Sequence, residues 1–140
     1  MAKEKISKSA EETMAIAENF AQSLKPATIL ALEGDLGSGK TTFIKGLAKG
    51  LGLADLDEVK SPTFALMHIY ETVPPIYHFD LYRLESEKEI ESIGFDEFLN
   101  QPATIICIEW AGRAEKFLPP SALRVKFEMI GPTDRRIIFS

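Results

Sequence analysis

The chain has 140 residues, 45% of them hydrophobic and 26% charged, and its 16 Lys and Arg against 21 Asp and Glu give a formal net charge of -5. That is enough chain for one compact domain over residues 1–140 and too apolar for disorder, while the acidic balance excludes a general electrostatic footprint for nucleic acid. Met1 to Lys5 lead into a charged segment rather than an apolar signal core, and no stretch approaches the ~20 apolar residues of a membrane span, so a cytoplasmic protein is expected. The single cysteine, Cys107, can form no internal disulfide and reads as a small core residue within Ile105 to Ile108.

Ser9 and Glu12 have capping-box spacing, and Met14, Ala17, Ala21 and Leu24 then recur at helical intervals until Pro26, which predicts a first helix. Thr28 to Leu32 is an apolar run of the length of a strand buried on both faces. Beyond a glycine-rich turn, Phe43, Leu47 and Leu51 fall four apart, so a second helix is expected to finish at Gly50 or Gly52. Strands are predicted over 64–70 and 76–81, an antiparallel pair about the Pro74-Pro75 turn. Ser86 with Glu89 opens a short helix closed by Gly94, and 103–108 is another buried strand. Residues 123–130 and 136–139, joined by Gly131-Pro132-Thr133-Asp134, form a closing hairpin. The expected architecture is three-layer α/β, with a mixed sheet of central parallel strands and antiparallel hairpins.

Gly34-Asp35-Leu36-Gly37-Ser38-Gly39-Lys40-Thr41 fits G-x-x-x-x-G-K-[ST] at every defined position, between a predicted strand and a predicted helix. A chance match in a chain of this length has odds of about one in two hundred. Such a loop curls so that consecutive N–H groups face phosphate oxygens at the positive end of the following helix. Lys40 is then expected to reach the β- and γ-phosphates, the Thr41 hydroxyl to ligate Mg²⁺, and Thr42 to continue the cradle, within a P-loop NTPase fold. No [NT]-K-x-D tetrapeptide for guanine occurs, so ATP is favoured by elimination. Turnover also requires a carboxylate at a neighbouring strand end, and both Asp80 and Glu109 occupy such ends, although a strand-end acid serves equally as a solvated terminus. His68 and His78 lack the Cys/His spacing of a metal site and alternate within strands, so packing or local hydrogen bonding is expected of them.

The P-loop with Thr42-Phe43, then Ser61-Pro62-Thr63-Phe64, then His78-Phe79-Asp80-Leu81-Tyr82-Arg83, then Glu109-Trp110, in this order in so short a chain, resembles the TsaE (YjeE) family. That family is the ATPase component of the bacterial machinery making threonylcarbamoyladenosine in tRNA, and the likeness runs from Ser9 to the closing hairpin. The resemblance implies that Thr41 and Glu109 contact Mg²⁺ and that Asp80 is a Walker-B-like acid or water-orienting group, also at the metal. It makes Thr63 a switch threonine sensing the γ-phosphate, although Thr63 also suits a plain strand start. It places Trp110 beside the nucleotide, where the residue otherwise suits a core or interface, and Ser9 to Thr13 near the adenine. Ala111-Gly112-Arg113 has no residue-by-residue match, which leaves Arg113, Arg135 and Arg136 without an assigned role. Arg83 suits a surface ion pair as well as a functional part.

Three functions follow for comparison. The first is an ATPase acting as a nucleotide-dependent switch on TsaD–TsaB, the partners the resemblance implies, with tRNA contacted only through the complex, no membrane contact, and a monomer favoured for the chain alone. The second is a small-molecule P-loop kinase, for which no inserted arginine-bearing lid is visible. The third is a nucleotide-binding module without turnover, which the presence of both Asp80 and Glu109 disfavours.

Overall fold

Alternation along the central strands distributes apolar side chains to two faces of one sheet. In the computed structural model, which describes residues 3–62 and 66–140, Leu30 and Leu32 of strand β2 (Ile29–Glu33) join one core cluster, while Ile29 and Ala31 join another. Strands β4 (Ile76–Asp80) and β5 (Ile105–Glu109) divide in the same way, with Ile76, Ile105 and Cys107 on the first face and Phe79, Ile106 and Ile108 on the second. A strand covered on both sides reads as continuous hydrophobicity, which is why the alternation is hidden in the sequence.

The first face is covered by helices α1 (Ala10–Ala21) and α2 (Lys40–Gly50). The second is covered by the short helices α3 (Glu87–Ser92) and α4 (Phe95–Leu99) and by a 3-10 segment, Ala111–Phe117. With β1 (Lys3–Ser7), β3 (Met67–Tyr70), β6 (Leu123–Met129) and β7 (Arg135–Phe139), the sheet runs β1-β7-β6-β2-β5-β4-β3. Strands β6, β2, β5 and β4 are mutually parallel, and β3 and the β7–β1 pair are antiparallel additions at the two edges. This is the mixed sheet anticipated. Strand β1, a charged edge strand, was not anticipated, because Lys3, Glu4, Lys5 and Ile6 are all exposed and carry no apolar periodicity. Gly94 does not simply close α3. It takes a left-handed φ of 74° and starts α4.

Ser9 caps α1, its Oγ accepting from Glu12 N at 3.0 Å, as the capping-box spacing predicts. Helices α1 and α2 approach closely at Gly46, where a side-chain methyl would collide with Met14 O and Ala17 Cβ. Phe43 of α2 is fully buried against the Phe20, Phe127 and Phe139 rings. The packing sets the N-termini of α1 and α2 at the carboxyl end of the parallel strands. Among the described residues no helix is long and apolar enough to cross a membrane.

Candidate functional site

Parallel strands deliver their carboxyl ends to one side of a sheet, where α/β proteins place ligands. Here those ends carry Glu33, Asp80 and Glu109. The turn from β2 into α2 holds the glycine-rich sequence, with Gly39 as the helix N-cap at φ 107°, a left-handed conformation that residues with a Cβ rarely adopt. Among the described residues no side chain caps α2. Its N-terminal amides are therefore aimed into the cleft with the positive end of the helix behind them. Ser38 Oγ is buried beside Gly34 with no hydrogen-bond partner among the described residues.

Lys40, the first residue of α2, is nearly buried at 5% exposure. Its Nζ donates to Gly34 O and, at 3.4 Å, to Asp35 O, and stands 4.1 Å from the centroid of the Trp110 ring. Burial pushes the Lys40 amine below the ordinary lysine value, while Glu109, Asp80, Glu33 and Asp35 pull it back up. Trp110 is held by a left-handed backbone, φ 58°, directly after β5, and packs 4.9 Å from the Tyr82 ring. The structure thus brings Asp35, Leu36, Gly37, Ser38, Gly39, Lys40, Thr41, Thr42, Asp80, Glu109 and Trp110 around one cleft of about 220 Å³, together with Ser61 and Tyr82.

Asp80 and Glu109 are register partners on adjacent parallel strands. Both are nearly buried. Thr41 Oγ1 donates to Glu109, at 3.0 Å from Oε2 and 3.2 Å from Oε1. Asp80 Oδ2 accepts from Ser61 Oγ and Oδ1 accepts from Tyr82 N at 2.9 Å. Hydroxyl and carboxylate oxygens are hard donors suited to Mg²⁺. Among the described residues no group of three or more His, Cys, Asp or Glu is poised to hold a metal by itself. A metal here would share Thr41, Glu109 and Asp80 with ligand phosphates and water, the usual arrangement for Mg²⁺. Thr63 lies outside the described residues.

A second hollow opens beside the loop, lined by Ser9, Thr13, Gly37, Gly39, Thr42 and the β6–β7 turn. Ser9 and Thr13 are thus near the cradle, but their hydroxyls already serve the fold, Ser9 as the α1 cap and Thr13 Oγ1 at 2.7 Å from Ser7 Oγ. Arg135, left without a role by the sequence, donates from Nη2 to Gly37 O at 3.1 Å. Arg136 instead pairs with Glu128 and Glu4, and Arg113 Nη1 donates to Leu84 O at 3.0 Å.

The residue sequence reasoning undervalued is His78. It is fully buried and hydrogen-bonded, as a packing histidine would be, yet its Nε2 lies 2.6 Å from Glu109 Oε2. The signal was available: His78 and Asp80 are two apart in a strand and so share a face. Only the pairing of β4 with β5 shows which residue that face meets.

The family model for "Threonylcarbamoyl adenosine biosynthesis protein TsaE" matches residues 7–137. A Bacillus subtilis relative, "tRNA threonylcarbamoyladenosine biosynthesis protein TsaE", is 44% identical over 131 residues, covering 93% of this chain and 80% of that protein. A relative of the same description from Aquifex aeolicus is 36% identical over 136 residues, covering 96% and 93%. The fold is similar to the crystal structure of YdiB from Bacillus subtilis, with a TM-score of 0.80 at 36% identity over 99% of this chain and 84% of that one.

Proposed function

The chain belongs to the TsaE family and takes part in tRNA threonylcarbamoyladenosine biosynthesis, and from that premise we propose that it is the P-loop ATPase of that machinery, binding ATP with Mg²⁺ and acting as a nucleotide-dependent switch on a TsaD–TsaB complex. The observation that carries the reading is the Thr41 hydroxyl hydrogen-bonded at 3.0 Å to the strand-end carboxylate of Glu109, within the cleft that also holds the uncapped α2 N-terminus. A glycine-rich anion cradle alone supports binding, and a hydroxyl–carboxylate pair beside it supports phosphoryl chemistry.

In this reading the amides of Gly37 to Thr42 would hold the phosphates, and Lys40 Nζ, now bonded to Gly34 O and Asp35 O, would supply the cation that pairs with them. Mg²⁺, when bound through Thr41, Glu109 and Asp80, would neutralise charge on the phosphates. Asp80, tethered to Ser61 and Tyr82 N, ties the acid side of the cleft to the chain leading into Thr63, the residue proposed to sense the γ-phosphate. The Ser9–Thr13 hollow beside the loop suits the base.

The test is nucleotide turnover by the purified chain with ATP and with GTP, alone and with TsaD and TsaB, alongside a search for a phosphorylated small molecule. ATP hydrolysis that rises with the partners supports the switch. Equal GTP use overturns the base preference, a phosphorylated metabolite favours a kinase, and binding without turnover under every condition reduces the protein to a nucleotide-binding module.

A further inference from the structure

Behind the cleft lies a polar chain in the protein interior. Glu109 is 3% exposed, His78 is fully buried and Tyr70 is 2% exposed. A carboxylate only accepts, so the 2.6 Å contact requires the hydrogen on His78 Nε2. Nδ1 then pairs with the Tyr70 hydroxyl at 2.8 Å. That hydroxyl lies 3.3 Å from Lys60 O, immediately before Ser61, whose own hydroxyl bonds Asp80. Every polar atom of the His78 ring is thus committed, and the imidazole can neither rotate nor withdraw without orphaning a buried group.

The consequence falls on Glu109. Its side chain has several rotatable bonds, and its register partner Asp80 carries like charge, so nothing in the strand itself fixes the carboxylate. His78 pins Oε2, which also receives Thr41, and among the described residues Oε1 makes the longer 3.2 Å contact alone. Building on Glu109 as a metal carboxylate, we propose that His78, backed by Tyr70, is the positioning residue that holds Glu109 in its metal-binding orientation and thereby sets the divalent-cation affinity of the nucleotide-loaded protein. Outer partners of a metal carboxylate act in this way generally, fixing the ligand before the ion arrives.

The experiment measures Mn²⁺ affinity of the ATP-loaded chain by electron paramagnetic resonance, and ATP affinity in EDTA by calorimetry, for His78→Leu, His78→Gln, Tyr70→Phe and Glu109→Gln. Leucine keeps bulk without a donor, and glutamine returns an N–H near the position of Nε2. Expected for His78→Leu is a loss of Mn²⁺ affinity of about 10- to 100-fold with ATP affinity in EDTA held within about two-fold. His78→Gln should recover most of the loss, and Tyr70→Phe should show a smaller loss of about three-fold in the same direction. Unchanged Mn²⁺ affinity in His78→Leu overturns the inference, as does a glutamine variant no better than leucine, or an equal loss of ATP affinity in EDTA. Should His78→Leu fail to fold, Tyr70→Phe, which deletes one hydroxyl, decides by the same criterion. Glu109→Gln separates the two layers: full Mn²⁺ affinity there removes Glu109 from the metal and both readings fall. Loss there with none in His78→Leu overturns only the role of His78.

Discussion

Replacing Lys40 by Met should move ligand affinity and fold stability in opposite directions. The apolar stem of Lys40 packs in a nearly buried position, and Met preserves an unbranched chain there while deleting the ammonium. A charge-assisted hydrogen bond contributes about 1.5–3 kcal/mol, so if the proposed reading holds, losing the Lys40 ammonium should weaken ATP binding by about 10- to 150-fold per bond made. For stability, the Lys40 pKa in the folded chain lies below the ordinary lysine value of 10.5, chiefly through burial. Folding therefore disfavours its charged form, a penalty present in full below the lowered pKa that fades as pH rises towards 10.5. Lys40→Met should accordingly melt above the unmodified chain at pH 7 in the absence of nucleotide, with the gap closing as pH rises through the lowered pKa. Calorimetric titration with ATP and thermal unfolding at several pH values measure both. Unchanged affinity in the folded variant would place the phosphates elsewhere, and a lower melting temperature would mean that the bonds to Gly34 O and Asp35 O and the contact with Trp110 outweigh burial.

Trp110 lies against the Lys40 ammonium in the cleft, so its fluorescence should change on titration with ATP; a flat signal where calorimetry reports binding would detach it from the ligand. Asp80→Ala and Glu109→Ala should each retain ATP binding far better than hydrolysis, with turnover reduced by about 10²-fold or more, because in the proposed reading they would hold metal and water rather than the phosphates. Partner-stimulated turnover at the unmodified rate in both variants would make the two acids structural. Phe43→Ala should lower stability by about 3–5 kcal/mol in chemical denaturation, since the ring is fully buried among Phe20, Phe127 and Phe139; a loss below about 1 kcal/mol would mean that the core collapses into the space.

The glycine-rich turn between β2 and α2 was legible from sequence because its conformation is local: glycines, a lysine and a hydroxyl at fixed spacing between a strand and a helix state the turn and the helix start by themselves. The same holds for α1, where Ser9 and Glu12 sit within one turn of each other and state the helix start. The acids were legible only as strand ends, since spacing along the chain cannot say that β4 pairs with β5 and sets Asp80 across from Glu109. His78 was read as a packing or locally hydrogen-bonded residue, and its partners could not be named for the same reason: Glu109 lies 31 positions away, and Tyr70 reaches it from another strand. Arg135 meets the loop through Gly37 O only because the β6–β7 hairpin folds back over it. Strand β1 escaped notice because an exposed edge strand needs only backbone partners, which composition does not record. What the sequence by itself determined is whatever residues within one turn or one strand settle among themselves; the order of the strands, which sets neighbours across the sheet, decided the rest.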